Sequence, residues 1–301
     1  MDLPIDLKQL RYFIHIAEFG SFTKAADYLD VAQPLLSRQI RRLETTLGKS
    51  LLIRTGRGVT LNDSGKILLQ YSREIMSLME QVYEELIQGN LAGNISIGIP
   101  PTLARILSVP LTKLFREILP DAKLIITEAM TSAIEERITT GRLDMGLLYN
   151  SNRPQDLELQ VLATENLYLI APTTYPIKKS TALSLQEIEK IPLILPSYPN
   201  TFRKLIEFEM AKAGLKPNVI LEMNSINTII ELIVEGLGCG ILSEKILLTL
   251  NEEDQNKLQA IKLPCLESRL YLATSNKKNM TKTQETVKDI ILKLISDFYE
   301  Q

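Results

Sequence analysis

Between Gln33 and Arg57 the chain carries six basic side chains, Arg38, Arg41, Arg42, Lys49, Arg54 and Arg57, against one acid, Glu44. That local balance of +5 sits in a chain whose formal charge is −2, so the remainder carries −7. Guanidinium and ammonium groups clustered this way suit phosphate, while Gln33, Arg38 and Arg41 add donors that can bond base edges and Ser37 a hydroxyl for phosphate. The chemistry on offer is recognition of a nucleic acid. Most bond-making chemistry lacks its parts; a carboxylate-based reaction stays open, although nothing pairs the acids suggestively. The one histidine, His15, lies outside the C-terminal two thirds of the chain, so no Ser-His-Asp or Cys-His arrangement can form there. Cys239 and Cys265 have no histidine near them to complete a zinc site, and neither a P-loop nor a dinucleotide fingerprint occurs. An enzyme is therefore not expected, and neither is a bound cofactor or metal.

Three short stripes of helical spacing must position the basic cluster. Leu10, Phe13, Ile14 and Ala17 form the first, closed by Gly20. Phe22, Ala25, Ala26 and Leu29 form the second, with Ser21 as N-cap. Leu36, Ile40, Leu43 and Leu47 form the third, opened by Pro34 and closed by Gly48. The short turn between the second and third gives helix-turn-helix geometry. With its apolar stripe inward, the third helix presents Gln33, Ser37, Arg38 and Arg41 outward. Residues 51–61 then read as two short strands around a glycine-containing turn, a wing carrying Arg54 and Arg57. His15 lies just off the first stripe and reads as packed or solvated rather than as a site.

The segment FTKAADYLDVAQPLLSRQIRRLETTLGKSLLIR is similar to the DNA-binding signature of the LysR-type transcription regulators over more than thirty positions. The resemblance continues through the following helix and, more loosely, to the C-terminus. It implies DNA contacts at Gln33, Pro34, Ser37 and Arg38, with Arg54 and Arg57 from the wing. Ala32, where the family often has Ser or Thr, removes a helix cap, and Leu52 replaces a common Phe. The wing and linker resemble the nitrogen-assimilation-control branch.

From residue 62 to residue 88, Ile67, Tyr71, Ile75, Leu78, Val82 and Leu86 follow a near-heptad spacing. A helix of that length spans roughly 40 Å, and the small preceding domain cannot bury its stripe. A second copy of the helix is the natural cover, which would set two recognition helices on the half-sites of an interrupted dyad in double-stranded DNA. Gly89, Asn90, Ala92 and Gly93 mark a hinge.

Beyond it, apolar runs over 94–99, 124–127, 143–149, 167–171, 192–195 and 219–223 read as strands. Amphipathic stretches over 103–118, 134–140, 201–213 and 227–235 read as helices, so an α/β sandwich with parallel sheet is expected. The domains are then a winged helix-turn-helix over 1–61, a linker helix over 62–89 and an effector-binding domain over 90–301. The resemblance implies two lobes like those of type 2 periplasmic binding proteins, joined by crossing strands. Lobe I covers 94–163 with 267–301, and lobe II covers 164–266.

Ligands of open α/β sheets sit beyond the strand ends, where helix N-termini point. Thr102, Thr131, Ser132, Ser197, Asn200 and Thr201 fall at such junctions and are the candidate effector contacts, each equally able to serve only as a helix cap. Arg105 and Arg203 could favour an anionic effector, and Asp144 reads as structural. The family also implies self-association as dimer and tetramer, with RNA polymerase as a possible partner. No signal peptide or membrane-length apolar run is present, and two cysteines suit a reducing cytoplasm. A solute-binding protein, the rival reading, would have no use for residues 1–62.

Overall fold

The computed structural model describes residues 5–56, 58–83, 93–152, 154–177, 182–276 and 280–299. The chain forms two compact units, Met1–Asn90 and Leu91–Gln301. Arg57, Leu86, Gly89, Asn90 and Ala92 lie outside the described residues, as does the end of the expected linker helix.

The first unit is α1 (Leu7–Phe19), α2 (Phe22–Leu29), α3 (Gln33–Leu47), the hairpin β1 (Leu52–Thr55) and β2 (Gly58–Leu61), and α4 (Asp63–Tyr83). Asp6 and Gln9 form a capping box at the start of α1, and Gly20 ends it at φ 59°, a left-handed conformation glycine adopts without strain. Ser21 caps α2. The core joins Phe13, Ala25, Leu36, Ile40 and Leu43. On α1 it takes Tyr12 and Ile16 in place of the expected Ile14 and Ala17, which are only partly buried. The reason is that α4 also packs on α1, shifting its buried arc. Arg73 of α4, buried, bonds Glu18 of α1 at 2.8 Å. This pair fixes the long helix to the helix-turn-helix.

The second unit opens with β3 (Gly93–Ile99), α5 (Pro101–Ile118), β4 (Ala122–Glu128), α6 (Thr131–Thr139) and β5 (Met145–Tyr149). The long β6 (Leu157–Pro172) leads to α7 (Leu185–Ile188), β7 (Leu193–Leu195), α8 (Thr201–Lys212), β8 (Val219–Glu222), α9 (Ile226–Val234) and β9 (Gly240–Leu242). A 3-10 turn over Glu244–Thr249, α10 (Glu252–Lys257), the long β10 (Leu258–Ser275) and α11 (Lys282–Tyr299) complete it.

The main sheet has the order β4-β3-β5-β10-β6-β9, and β7 pairs with β8 beside it. The sheet is mixed, which corrects the parallel sheet expected from the alternation of elements. β3 runs parallel to β4 and β5, because helices make those crossovers. β10 returns antiparallel to both β5 and β6. β6 and β10 pass together from lobe to lobe, and one apolar cluster runs with them, joining Ile97 and Leu147 to Leu193 and Ile206. Where they cross, the ladder slips between Leu263 and Glu267, placing Pro264, which has no N–H to donate, outside the pairing. Asp144 accepts from the backbone and hydroxyl of Ser96 and from Gln284, tying β3 to α11. No helix among the described residues is long and apolar enough to cross a membrane.

Candidate nucleic-acid interface and effector cavity

On α3 the periodicity separates two faces. Leu36, Ile40 and Leu43 are buried, whereas Gln33, Pro34, Arg38, Arg41 and Arg42 are exposed and Ser37 is half-buried. Arg54 projects from β1 and is exposed, its guanidinium carbon 5.0 Å from the ring centroid of Phe22. Among the described residues none of Arg38, Arg41, Arg42 and Arg54 lies within ion-pair distance of a carboxylate. Their charge is therefore available to phosphate. Ala32 caps α3 without a side-chain bond; Pro34 has no N–H and the Leu35 N–H bonds the Ala32 carbonyl at 2.9 Å, so the first-turn donor left to an anion is the Gln33 N–H.

The wing is held by Glu44, the single acid of the basic cluster. Its Oε1 accepts from the Leu51 N–H at 2.8 Å and from the Leu52 N–H and Ser50 hydroxyl at 3.4 Å. Asn62 donates to the Ser50 carbonyl at 2.8 Å from the other side. Gly65 completes the clamp, since a Cβ there would come within 2.2 Å of the Leu51 carbonyl. Sequence reasoning counted Glu44 only as charge. Its place between an outward arginine stripe and a buried one marked it as the residue able to reach the wing.

In the second unit, four helix N-termini meet at one cavity of about 40 Å³. Pro101 and Thr102 begin α5, Thr131 begins α6, Asn200, Thr201 and Phe202 begin α8, and Asn224 and Ile226 stand at the start of α9. Of the six candidate effector residues, Thr102, Thr131, Asn200 and Thr201 line it. Ser132 is exposed and Ser197 engages Asn224 through its backbone N–H, and neither belongs to the lining. Thr131 is committed locally, its hydroxyl bonded to the Tyr149 backbone in both directions. Asn200 likewise caps α8 through Phe202 and Arg203. Thr102 is buried, with its side chain at the lining.

Among the described residues, no charged side chain lines this cavity. The expected contribution of Arg203 is corrected: its buried guanidinium bonds Glu207 at 2.5 Å and Glu222 at 3.3 Å, so its charge is spent. Arg105 of α5 instead reaches across to the second lobe. It donates to the Thr249 hydroxyl at 2.6 Å, to the Thr249 carbonyl at 3.4 Å and to the Asn227 side chain. Tyr149 and Phe202, missed in the sequence, pack ring against ring across the lobes, tilted by 54° with centroids 4.8 Å apart. Burial, reinforced by the nearby Glu165 carboxylate, pushes the Tyr149 phenol well above its ordinary range. Asn224 was also missed, although Asn224 and Ser225 after β8 form the same kind of strand-to-helix junction as the other three.

Comparison with known proteins agrees with both halves. Residues 7–66 match the bacterial regulatory helix-turn-helix proteins of the lysR family, and residues 88–295 match the LysR substrate binding domain. The nitrogen assimilation regulatory protein nac of Klebsiella aerogenes is 31% identical over 97% of this chain and 96% of its own. A probable RuBisCO transcriptional regulator of Trieres chinensis is 31% identical over 89% of this chain and 88% of its own. A full-length OxyR variant from Pseudomonas aeruginosa superposes with a TM-score of 0.78 at 20% identity, covering 97% of this chain and 95% of that one. CbnR in complex with its target DNA superposes with a TM-score of 0.65 at 20% identity, covering 98% and 100%. The winged helix-turn-helix joined to a two-lobed α/β domain, matched by family over nearly its whole length, makes this chain a member of the LysR family of DNA-binding transcription regulators.

Proposed function

We propose that the chain reads an interrupted dyad in promoter DNA with α3 and the wing, and that a small effector held between the lobes of its second unit controls that binding. The observation that carries the DNA half is the unpaired arginine face of α3 beside Arg54. Gln33, Arg38 and Arg41 face base edges, Pro34 and Ser37 sit at the backbone, and Arg54 grips the groove edge, joined by Arg57.

The cavity favours a small carboxylate-bearing metabolite. α5 and α6 begin at Pro100 and Met130, neither of which supplies a side-chain cap, so first-turn N–H groups can turn to an anion beside Thr102. At about 40 Å³ the space suits a few water molecules, far below the ~300 Å³ of small-ligand pockets. Entry of a metabolite therefore requires the lobes to part, which is how occupancy would reach the DNA-binding half.

Self-association follows from uncovered apolar surface. Ile67, Tyr71, Ile75, Leu78 and Val82 are all exposed along α4 and form one stripe that a second α4 would bury. Val109, Ile118 and Ile125 in lobe I and Ile220, Leu221 and Leu237 in lobe II offer a further exposed set, enough for a tetramer built from dimers. We read the chain as a cytoplasmic regulator without cofactor, not an enzyme, and as a protein that meets RNA polymerase at the promoter.

The test is a gel-shift titration on duplex from the chain's own upstream region at several salt concentrations. Retention should fall steeply with salt, and Arg54→Ala should lower the slope by about one. Arg38→Ala should cost roughly 1–3 kcal/mol and relax base preference at one position of each half-site. Absence of salt-dependent retention on any duplex would end this reading.

A further inference from the structure

Helix α8 has a second working face. Thr201, Lys204, Leu205 and Phe208 recur at the spacing of one helical stripe, and with Asn150, Asn152 and Tyr198 they line an open pocket of about 580 Å³. That volume lies within the ~300–1,000 Å³ of small-molecule sites, whereas the cavity at the helix N-termini encloses about 40 Å³. Thr201 lines both spaces, so a single helical turn divides them.

The chemistry of the lining is specific. Tyr198 and Phe208 hold 57% and 60% of their surface exposed, unusual for two rings at one opening. Lys204 is exposed and, among the described residues, lies within ion-pair distance of no carboxylate. The one acid among the described lining residues, Glu207, is ion-paired with Arg203 at 2.5 Å, a guanidinium it shares with Glu222, and accepts the Tyr198 hydroxyl. The Lys212 ammonium stands 4.2 Å from the Phe208 ring centroid, but Glu209 pairs it at 2.8 Å, which leaves Lys204 to supply the positive charge. The far wall is rigid: Asn150, at φ 48°, donates to the Ser268 hydroxyl at 3.1 Å and accepts the Arg269 N–H at 2.9 Å. Among the described residues, one free cation, a carboxamide at Asn152 and two open rings fit a flat molecule with a single negative end.

We propose that this pocket is a second small-molecule site, separate from the cavity between the helix N-termini, for an aromatic monocarboxylate. The carboxylate meets Lys204 and Asn152, and the ring lies against Phe208 and Tyr198. Because the walls come from the end of β5 in one lobe and from α8 in the other, occupancy would bind the lobes together and steady the helix that supplies Asn200, Thr201 and Phe202 to the neighbouring cavity. The site stands whether or not that cavity takes an effector.

Phenylacetate is a suitable probe, titrated against the full-length protein with saturation-transfer NMR as the readout. Saturable binding is expected with a Kd on the order of 1 mM or tighter. Lys204→Gln should weaken it about fivefold, as for a partly exposed charge-assisted bond. Phe208→Ala should weaken it similarly, and 2-phenylethanol should bind about tenfold more weakly. Both substitutions are at exposed positions, and Thr102→Val, on the neighbouring cavity, should leave the Kd unchanged. The proposal is overturned by non-saturable binding, by equal affinity for the alcohol, by indifference to Lys204→Gln or Phe208→Ala, or by loss on Thr102→Val, which would place the probe in the other cavity.

Discussion

The guanidinium of Arg54 stands over the ring of Phe22, its carbon 5.0 Å from the centroid. Phe22 is itself buried in the core of the first unit. An exposed wing arginine is thereby rested on a fixed ring, and side-chain entropy that DNA binding would otherwise cost is lost in advance. A cation–π contact of this exposure contributes roughly 0.5–1 kcal/mol. Phe22→Leu, which keeps the position apolar but removes the ring, should weaken operator binding about two- to fivefold. In an Arg54→Gln background the same change should do nothing further to affinity. Equal losses in both backgrounds would show that Phe22 acts through the core alone, and thermal melts run alongside would register that.

Glu44 offers a separable test of the wing. Glu44→Ala strands the N–H of the buried Leu51 and should cost about 1–3 kcal/mol of stability, with a matching loss of DNA affinity. Glu44→Gln keeps a carbonyl acceptor and should recover most of both. If the glutamine variant behaves like alanine in a chemical melt, the carboxylate charge rather than the bond carries the effect.

The exposed stripe of α4 makes a prediction about assembly. Ile75→Glu or Leu78→Glu adds charge at positions already open to solvent, so the fold of either unit should survive. Sedimentation velocity should then show monomers, and affinity for a full dyad should fall to that for a half-site. A variant that remains dimeric would place the subunit interface elsewhere.

How far the sequence reached follows from what periodicity can express. The three stripes with Gly20 and Gly48 after them placed α1 to α3, and with them the outward Gln33, Arg38 and Arg41. Tyr12 and Ile16 were missed because α4 packs on α1, a tertiary contact invisible in a stripe. β10 escaped notice because Lys262, Pro264, Glu267 and Arg269 interrupt its apolar residues, and because Leu263 and Leu270 belong to ladders on either side of a slipped register. The fate of Arg203 was unreadable for a related reason. One of its partners, Glu207, lies a helical turn away, but the other, Glu222, comes from β8.

Arg105 should act as a latch between the lobes. Its bonds to Asn227 and Thr249 tie α5 in one lobe to α9 and the 3-10 turn in the other, so parting the lobes must break them. Arg105→Ala should hasten hydrogen exchange at the start of α5 and in the 3-10 turn before α10, and lower the melting temperature modestly. Arg105→Lys, with a single donor group, should fall between. Unchanged exchange in the alanine variant would show that the bonds hold nothing shut.

Because His15 is the only histidine, its titration can be isolated. Burial lowers its pKa below 6.5, an effect that Glu18 opposes and Arg11 reinforces. The ring packs 4.9 Å from Tyr28 and 3.5 Å from Glu18. Folding therefore favours the neutral imidazole, whereas the unfolded chain protonates near the ordinary value. The contribution of His15 to stability is accordingly present above about pH 6.5 and is lost as pH falls through the lowered folded value. The difference in melting temperature between the wild type and His15→Gln should shrink as pH is taken from about 7.5 to about 5. Carboxylates common to both proteins cancel in that difference. A gap that widens on acidification would mean that Glu18 outweighs burial and that the charged ring is the one the fold prefers.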